Sequence, residues 1–265
     1  MEILGYITAI GIGILLGLMG GGGSILTVPV MVYLMAIAPV TATAYSLFVV
    51  GISSLAGSLF YIKRNMVSYS TAILFSIPSF IAVYTTRKFL VPLIPDPVIT
   101  SQHLVISKGS FIMVLFALLM ITVFFYMIKD KSSSEGTAPS DLKLNYPLII
   151  IEALAVGLIT GIVGIGGGFL IIPSLVVLVK LPMKRAIGTS LLIIACNSLI
   201  GFLGDLGMEK IHWEFLFLFT AFSLAGICIG VWISKYISGR KLKPFFGWFV
   251  LASGIVILIK ELILL

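Results

Sequence analysis

Ten apolar runs alternate with short polar segments along the chain. They cover about 3–19, 24–37, 41–61, 69–90 and 109–128 in the first half, and about 147–163, 169–181, 186–204, 213–236 and 244–265 in the second. A helix that crosses a bilayer needs roughly 20 apolar residues, and most of the runs come close to this length. The pattern therefore predicts an all-α integral membrane protein.

The two halves of the chain repeat one another at a constant offset of 144 residues. The glycine cluster at 17–23 corresponds to the cluster at 161–167, and Pro29 corresponds to Pro173. Glycines, a proline and serines that stay in step are poorly explained by shared hydrophobic composition, so we infer an internal duplication. We predict a first membrane repeat at 1–128, a linker at 129–146 and a second repeat at 147–265.

The basic residues predict the topology. If the N-terminus is outside and every run changes side, twelve of the 17 Lys and Arg residues fall in loops on the side of the linker. Cytoplasmic loops are the basic ones, so the linker is predicted to be cytoplasmic and the other five basic residues, Arg87 among them, external. Five changes of side per half would make the second repeat an inverted copy of the first, in a multi-pass protein of the cell (inner) membrane.

The second run of each half is too short to span comfortably. The runs at 24–37 and 169–181 begin at the glycine clusters and contain a proline. Short, Gly/Pro-interrupted segments at matching positions of two halves indicate the binding site of a transporter. We predict broken or re-entrant helices near the midplane, and the sequence leaves open whether they span or re-enter. Re-entry would remove two crossings at once and keep the inversion.

The glycine clusters predict an anion site. Backbone amides freed from helical pairing must face protein or a polar cavity, and glycine lets a solute approach the backbone closely. Helices beginning there would also aim the positive end of a dipole at the cavity, so no buried Lys or Arg is expected. The candidate residues are Gly20, Gly22, Gly23, Ser24, Gly164, Gly166, Gly167 and Gly168. Close helix packing is the alternative, above all for Gly17 and Gly161.

Neutral polar side chains that follow the glycine clusters form a second candidate set. Ser46 corresponds to Ser190, and Thr189 and Asn197 lie within two helical turns of Ser190. These donors would complete a shell around an oxyanion. Hydrogen bonding between helices, or back to the helix itself, is the alternative interpretation.

Two carboxylates lie near the ends of apolar runs. Glu152 is a candidate proton carrier for coupling, although a carboxylate near a helix start is also favoured by the helix dipole. Asp205 lies beside Gly204 and Gly207, which favours a solvated external turn.

The composition excludes several classes of function. The 265 residues are 60% hydrophobic and 10% charged, whereas soluble domains carry roughly 25% charged residues. The net charge of +7 lies in short loops and forms no stripe, which argues against a nucleic-acid partner. The chain shows no spacing typical of catalytic residues, and no Gly-Lys-Ser/Thr sequence follows either glycine cluster. We therefore predict that the protein is not an enzyme and has no cofactor and no metal site. The predicted partners are the bilayer and a small anion; the oligomeric state is left open.

The doubled motif resembles the TauE/SafE family of sulfite exporters. Its pattern is Gly-Xaa-Xaa-Gly-Xaa-Gly-Gly-Gly with a proline shortly after, then Ala-Xaa-Gly-Thr-Ser-Leu, and the resemblance covers nearly the whole chain. It carries over to Gly20, Gly22, Gly23, Pro29, Ser46, Gly164, Gly166, Gly167, Pro173, Thr189 and Ser190. Ser24 replaces the last glycine of the first copy, and Ala44-Tyr45 stands where Gly-Thr is usual.

The resemblance implies a bacterial or archaeal inner-membrane permease for sulfite, sulfonates or related organosulfur anions, often an exporter. We therefore expect a secondary transporter that works by alternating access. A proton- or sodium-coupled importer and a non-transporting assembly factor are the alternatives.

Overall fold

The computed structural model describes residues 2–100, 105–129, 146–164, 166–206 and 211–264. The helices are α1 Glu2–Met19, α2 Gly22–Pro29, α3 Pro39–Ile62, α4 Tyr69–Thr85, α5 Val91–Leu93, α6 Lys108–Lys129, α7 Tyr146–Val163, α8 Gly168–Pro173, α9 Met183–Asp205, α10 Trp213–Ile233 and α11 Gly239–Leu264. Strands β1 Ile99–Thr100 and β2 Val105–Ile106 pair as an antiparallel hairpin in the loop before α6. The prediction of a helical membrane protein is confirmed, with this short hairpin as an addition.

Six of the described helices are long and apolar enough to cross a membrane. They are Pro39–Ile62, Tyr69–Leu93, Lys108–Phe125, Met183–Asp205, Trp213–Ile233 and Pro244–Ile263. The shorter apolar helices Leu4–Met19, Gly22–Leu34 and Pro147–Val163 flank the glycine clusters. Large apolar side chains such as Ile7, Ile151 and Phe125 are exposed on the outer surface of the bundle, as expected for side chains that contact lipid.

The described helices reach the first and last residues of the predicted linker. Lys129 is the last residue of α6 and Tyr146 is the first residue of α7, so both belong to helices. The interior of the predicted linker, 130–145, lies outside the described residues.

The offset of 144 residues reappears in the order of the elements. Helix α1 covers 2–19 and α7 covers 146–163, and α3 and α9 begin at Pro39 and Met183. After Pro29 and Pro173, the last residues of α2 and α8, the helix continues as one π-helical turn, at Val30–Leu34 and Ser174–Leu178. Proline lacks the N–H that an α-helical turn needs, so a shifted pairing pattern at both positions has the same physical cause.

Glycines set the close packing between helices. Gly51 contacts Leu199 and Gly57 contacts Leu191, so α3 and α9 run antiparallel along their lengths. Helices α1 and α10 run parallel, with Gly17 against the backbone around Gly230. A methyl group on such a glycine would overlap the neighbouring backbone, which is the packing mode of small residues in membrane helices.

Helices α1 and α2 form a hairpin whose turn contains the first glycine cluster. Gly23 packs against Ile12 and Leu16, and Gly5 packs against Met35 near the end of the returning arm. Gly20 turns the chain at φ 64° and Gly164 does so at φ 74° in the equivalent turn between α7 and α8. Residues that carry a side chain rarely adopt this left-handed backbone conformation, so the turns require glycine.

Candidate functional site

The two glycine clusters meet at Gly21 and Gly168. A Cβ atom on either residue would overlap the backbone of the other, so the two main chains are in direct contact. Gly168 also packs against the side chain of Ile194 in α9. The two turns therefore touch each other, and a ligand has room only beside this contact.

Helix α9 forms one wall along both clusters. Gly20 lies against Ser190 and Ile187, near the start of α9, and Gly166 lies against Ser198. Gly164 lies further along, beside Thr43 of α3. From Ile187 to Asp205 the helix rises about 27 Å at 1.5 Å per residue. The predicted residues thus line a path along α3 and α9, and Ser46 and Ser190 do not face a single point.

Several fully buried polar atoms beside this path have no hydrogen-bond partner among the described residues. They are the hydroxyls of Ser46, Ser54, Ser198 and Thr160 and the Oδ1 atom of Asn197. An unsatisfied buried polar group costs about 1–3 kcal/mol, and such groups are few in native proteins. Ser54 and Ser198 are equivalent at the 144-residue offset, so the same cost recurs in both halves.

Other predicted site residues have their hydrogen bonds satisfied within the protein. The Ser24 hydroxyl donates to the Gly21 carbonyl at 2.6 Å, and the Ser190 hydroxyl donates to the Ile187 carbonyl at 2.9 Å. The Asn197 amide donates to Ser79 at 2.7 Å and leaves its oxygen available. The hydroxyl protons of Ser24 and Ser190 are therefore already used, whereas the Asn197 oxygen has no donor among the described residues.

Thr189 and Tyr45, which differ between the two motifs, make the same hydrogen bond. The backbone N–H of Ser68 donates to the Thr189 hydroxyl at 2.9 Å, and the N–H of His212 donates to the Tyr45 hydroxyl at 2.8 Å. Ser68 and His212 are again 144 residues apart, each directly before the helix that follows. Both hydroxyls satisfy a free N–H group at a helix start, which is a structural role.

The structure brings a buried arginine to the second glycine turn. The Arg87 side chain is 1% exposed, and a Cβ on Gly164 would contact its Nη2 atom. Its Nε atom lies 3.3 Å from Oδ2 of Asp205, which is 7% exposed. Nη2 has no hydrogen-bond partner among the described residues. Arg87 lies in the π-helical turn Thr86–Leu90 at the end of α4.

Three expectations about these charges are wrong. Arg87 is buried rather than in an external loop, and Asp205 is paired with it rather than solvated. The site region also contains a buried basic side chain, whereas only amides and hydroxyls were expected. Pairing and hydrogen bonding are what allow a charge to be buried, so the two side chains explain each other's position.

Glu152 is half-buried in α7. Its Oε2 atom has no partner among the described residues. Twelve residues of α7 separate it from Gly164, about 18 Å at 1.5 Å per residue. A role in coupling stays a prediction, at a distance from the glycine contact.

The remaining glycines all contact side chains or backbone of the protein itself. Gly17 packs on α10, Gly161 packs on Thr86 at the end of α4, and Gly23 packs on α1, which favours the packing interpretation for these three. Gly22 contacts Met19 and Phe246, while Gly167 contacts Thr160 of its own hairpin.

A family model described as "Sulfite exporter TauE/SafE" matches residues 6–257. The chain belongs to the TauE/SafE family. The resemblance inferred from the doubled motif is therefore confirmed, as is the prediction of a membrane transporter rather than an enzyme.

Relatives of this TauE/SafE protein carry transporter names. A probable membrane transporter protein of Xylella fastidiosa (strain Temecula1) is 28% identical over 266 residues, covering 97% of each chain. The probable membrane transporter protein YunE of Bacillus subtilis is 25% identical over 260 residues, covering 91% of this chain and 90% of its own. No solved structure matches the chain significantly.

Sequence reasoning missed two features of the candidate site. Gly21 makes the central contact, but Ile165 stands at its equivalent position, so the repeat gave no signal. Arg87 has Val231 as its equivalent and lies at the end of an apolar run. Among the described residues no group of three His, Cys, Asp or Glu side chains forms a metal site.

Proposed function

We propose that this TauE/SafE protein is a secondary transporter that exports a small sulfur-containing anion, such as sulfite or a sulfonate, by alternating access. One observation carries the proposal: Gly21 and Gly168 touch, and the neighbouring Gly166 lies against Ser198, whose buried hydroxyl has no partner among the described residues. Buried donors of this kind suit an oxyanion, because its oxygens accept several hydrogen bonds.

The antiparallel pair α3 and α9 supports an inverted repeat. The two helices are equivalent at the 144-residue offset and run in opposite directions. A twofold axis that exchanges two antiparallel spanning helices lies across them, in the plane of the membrane. We therefore assign the repeats 1–128 and 147–265 opposite orientations, as in other transporters built from inverted repeats.

On this topology the two hairpins are re-entrant and approach from opposite sides. The hairpin of α1 and α2 begins and ends outside, whereas the hairpin of α7 and α8 begins and ends at the cytoplasmic linker. Their lengths support this assignment, since Leu4–Met19, Gly22–Leu34 and Pro147–Val163 are shorter than the six candidate spans. We place the protein in the cell inner membrane with its N-terminus outside, following the positive-inside rule.

The anion contacts are proposed for the partly unsatisfied groups along the path on α3 and α9. Ser46, Ser54 and Ser198 would donate hydroxyl protons, and Arg87 would donate from Nη2. The amides of both glycine turns would complete the shell. The other predicted residues, whose hydroxyls are bonded within the protein, would hold the turns in place.

Transport of radiolabelled sulfite by oriented proteoliposomes tests the proposal. We expect sulfite flux by the wild-type protein and loss of flux in Gly168→Leu, because the added side chain would overlap Gly21. Gly11→Leu is the control, since no atom lies within 4 Å of a Cβ at Gly11. Both variants are first checked for folding by size-exclusion chromatography.

The alternatives give different results in the same vesicles. A coupled importer would show flux that depends on a proton or sodium gradient and that enters against the proposed direction. An assembly factor would show neither sulfite flux nor sulfite binding in a folded wild-type protein, and this result would overturn the proposal.

A further inference from the structure

A cationic cavity lies at one end of the α3 and α9 pair, outside the site described above. Its volume is about 280 Å³, and its polar lining consists of Tyr61, Arg64, Lys184, Ser234 and Lys235. We call these five residues the cationic vestibule. A water molecule takes up about 30 Å³ in the liquid, so the cavity has room for a small anion with several waters.

The three cations of the vestibule come from three separate segments. Arg64 follows the end of α3, Lys184 lies in the first turn of α9, and Lys235 follows the end of α10. Arg64 and Lys184 are partly buried. Neither Asp nor Glu occurs among the described residues that line this cavity. Three positive charges around one small volume create a strong local attraction for an anion.

The inner end of the vestibule is joined to α1 about one helical turn before the first glycine turn. The Tyr61 hydroxyl lies 3.1 Å from the carbonyl oxygen of Gly17 and 3.1 Å from Oγ of Ser234. Tyr61 is buried, and its hydroxyl is the point where the cavity meets the glycine cluster. An anion held by the cations would therefore sit next to the path along α9.

The opposite end of the helix pair lacks these charges. At the 144-residue offset Lys184 corresponds to Val40 and Lys235 corresponds to Val91. The position of Tyr61 is taken there by Asp205, which is paired with Arg87. The two ends of the molecule thus differ in what they offer an anion.

We propose that the cationic vestibule is the cytoplasmic entrance site of the transporter and binds small anions with two or more negatively charged oxygens, such as sulfite, before they reach the glycine turns. This inference rests on the proposed function for the direction of travel. The inference of a binding site rests on the cavity, the three cations and the hydrogen bond to Gly17.

Two charge-removing variants separate the vestibule from general surface charge. One, the triple variant, is Arg64→Gln with Lys184→Gln and Lys235→Gln. The matched control is Lys63→Gln with Lys180→Gln and Arg185→Gln, because it also removes three charges and its residues are exposed neighbours that do not line the cavity. Arg64→Lys keeps the charge and checks that loss of packing is not the cause.

Both variants are measured for equilibrium binding of radiolabelled sulfite in detergent and for initial rates in proteoliposomes. We expect the triple variant to raise Kd and KM about tenfold, with kcat little changed, since steering acts on capture rather than on later steps. The control should change either constant by less than about twofold, because exposed charges outside the cavity are screened by salt. Equal effects in both variants, or none in the triple variant, would overturn the inference.

The results distinguish this inference from the proposed function. Sulfite binding that depends on the three cations without any flux supports the vestibule and overturns transport of sulfite. Flux with the same KM in the wild type and the triple variant supports transport and overturns the vestibule. A lipid headgroup is the other source of anionic oxygens, so the assay is repeated with added phosphatidylglycerol. A tenfold rise in KM on that addition, absent in the triple variant, would identify the lipid as occupant and overturn the inference.

Discussion

The buried pair of Arg87 and Asp205 gives the sharpest test of the structure. Asp205→Leu would leave a guanidinium that is 1% exposed without the carboxylate 3.3 Å away. Arginine cannot relieve this by losing its proton. Removing one partner of a buried pair costs about 3–5 kcal/mol, whereas replacing both by apolar residues is often neutral or stabilising. We expect Asp205→Leu to be strongly destabilised and the double variant with Arg87→Met to recover most of the loss.

Thermal unfolding of the purified proteins measures this difference. At about 2–4 °C per kcal/mol, a loss of 3 kcal/mol lowers Tm by at least about 6 °C. The wild type, the two single variants and the double variant together give the coupling energy between the two side chains. If the double variant is nearly as stable as the wild type, this energy should be close in magnitude to the sum of the losses in the two single variants. A double variant as unstable as Asp205→Leu would refute the reasoning, because the cost would then not arise from an unpaired charge.

The same double variant separates structure from transport. If Arg87 serves only to neutralise Asp205, sulfite flux returns with stability. If its Nη2 atom contacts the anion, as proposed, the double variant is stable and its flux stays low. Flux at the wild-type level in the stable double variant would remove Arg87 from the proposed anion contacts.

Three further variants test the site. Gly168→Ala should cost at least about 1–3 kcal/mol of stability by overpacking against Gly21, while Gly11→Ala, in open space, should be neutral or stabilising by up to about 1 kcal/mol; thermal unfolding compares them. Ser198→Ala should leave stability unchanged or raise it, because it removes an unpartnered hydroxyl, and should raise KM for sulfite in flux assays. Glu152→Gln should keep sulfite binding, because it lies about 18 Å from Gly164 along α7, and should lose any stimulation of flux by a proton gradient.

The repeat was readable from the sequence because its physical cause is local. Glycine at a left-handed turn and proline before a π-helical turn are required by the backbone itself, so they recur at the same offset in both halves. The same reasoning gave the apolar helices and the short arms beside the glycines. The residues that repeat in the sequence are therefore those that the backbone conformation requires.

Tertiary contacts set the limits of that reasoning. Tyr45 looked like a departure from the motif, yet it accepts the same N–H hydrogen bond as Thr189 from a helix that is distant in sequence. Gly21 touches Gly168 although its equivalent position is Ile165. The apolar run at 69–90 indicates where a helix ends, but it does not indicate which residues the last turn contacts. The burial of Arg87 in that turn was therefore not predicted.

The unequal ends of the α3 and α9 pair are consistent with the proposed direction of transport. At the end that we propose to be cytoplasmic, three cations line a cavity that has no Asp or Glu among its described lining residues, and they would raise the local anion concentration. At the other end the carboxylate of Asp205 already occupies one side of Arg87, so an anion that reaches this arginine competes with a fixed negative charge. Competition of this kind weakens binding where the anion has to leave, and the cations strengthen it where the anion has to enter. A protein with two equally charged ends would lack this bias. The presence of Lys184 and Lys235 in one half, where the other half has valine, therefore bears on function as well as on topology.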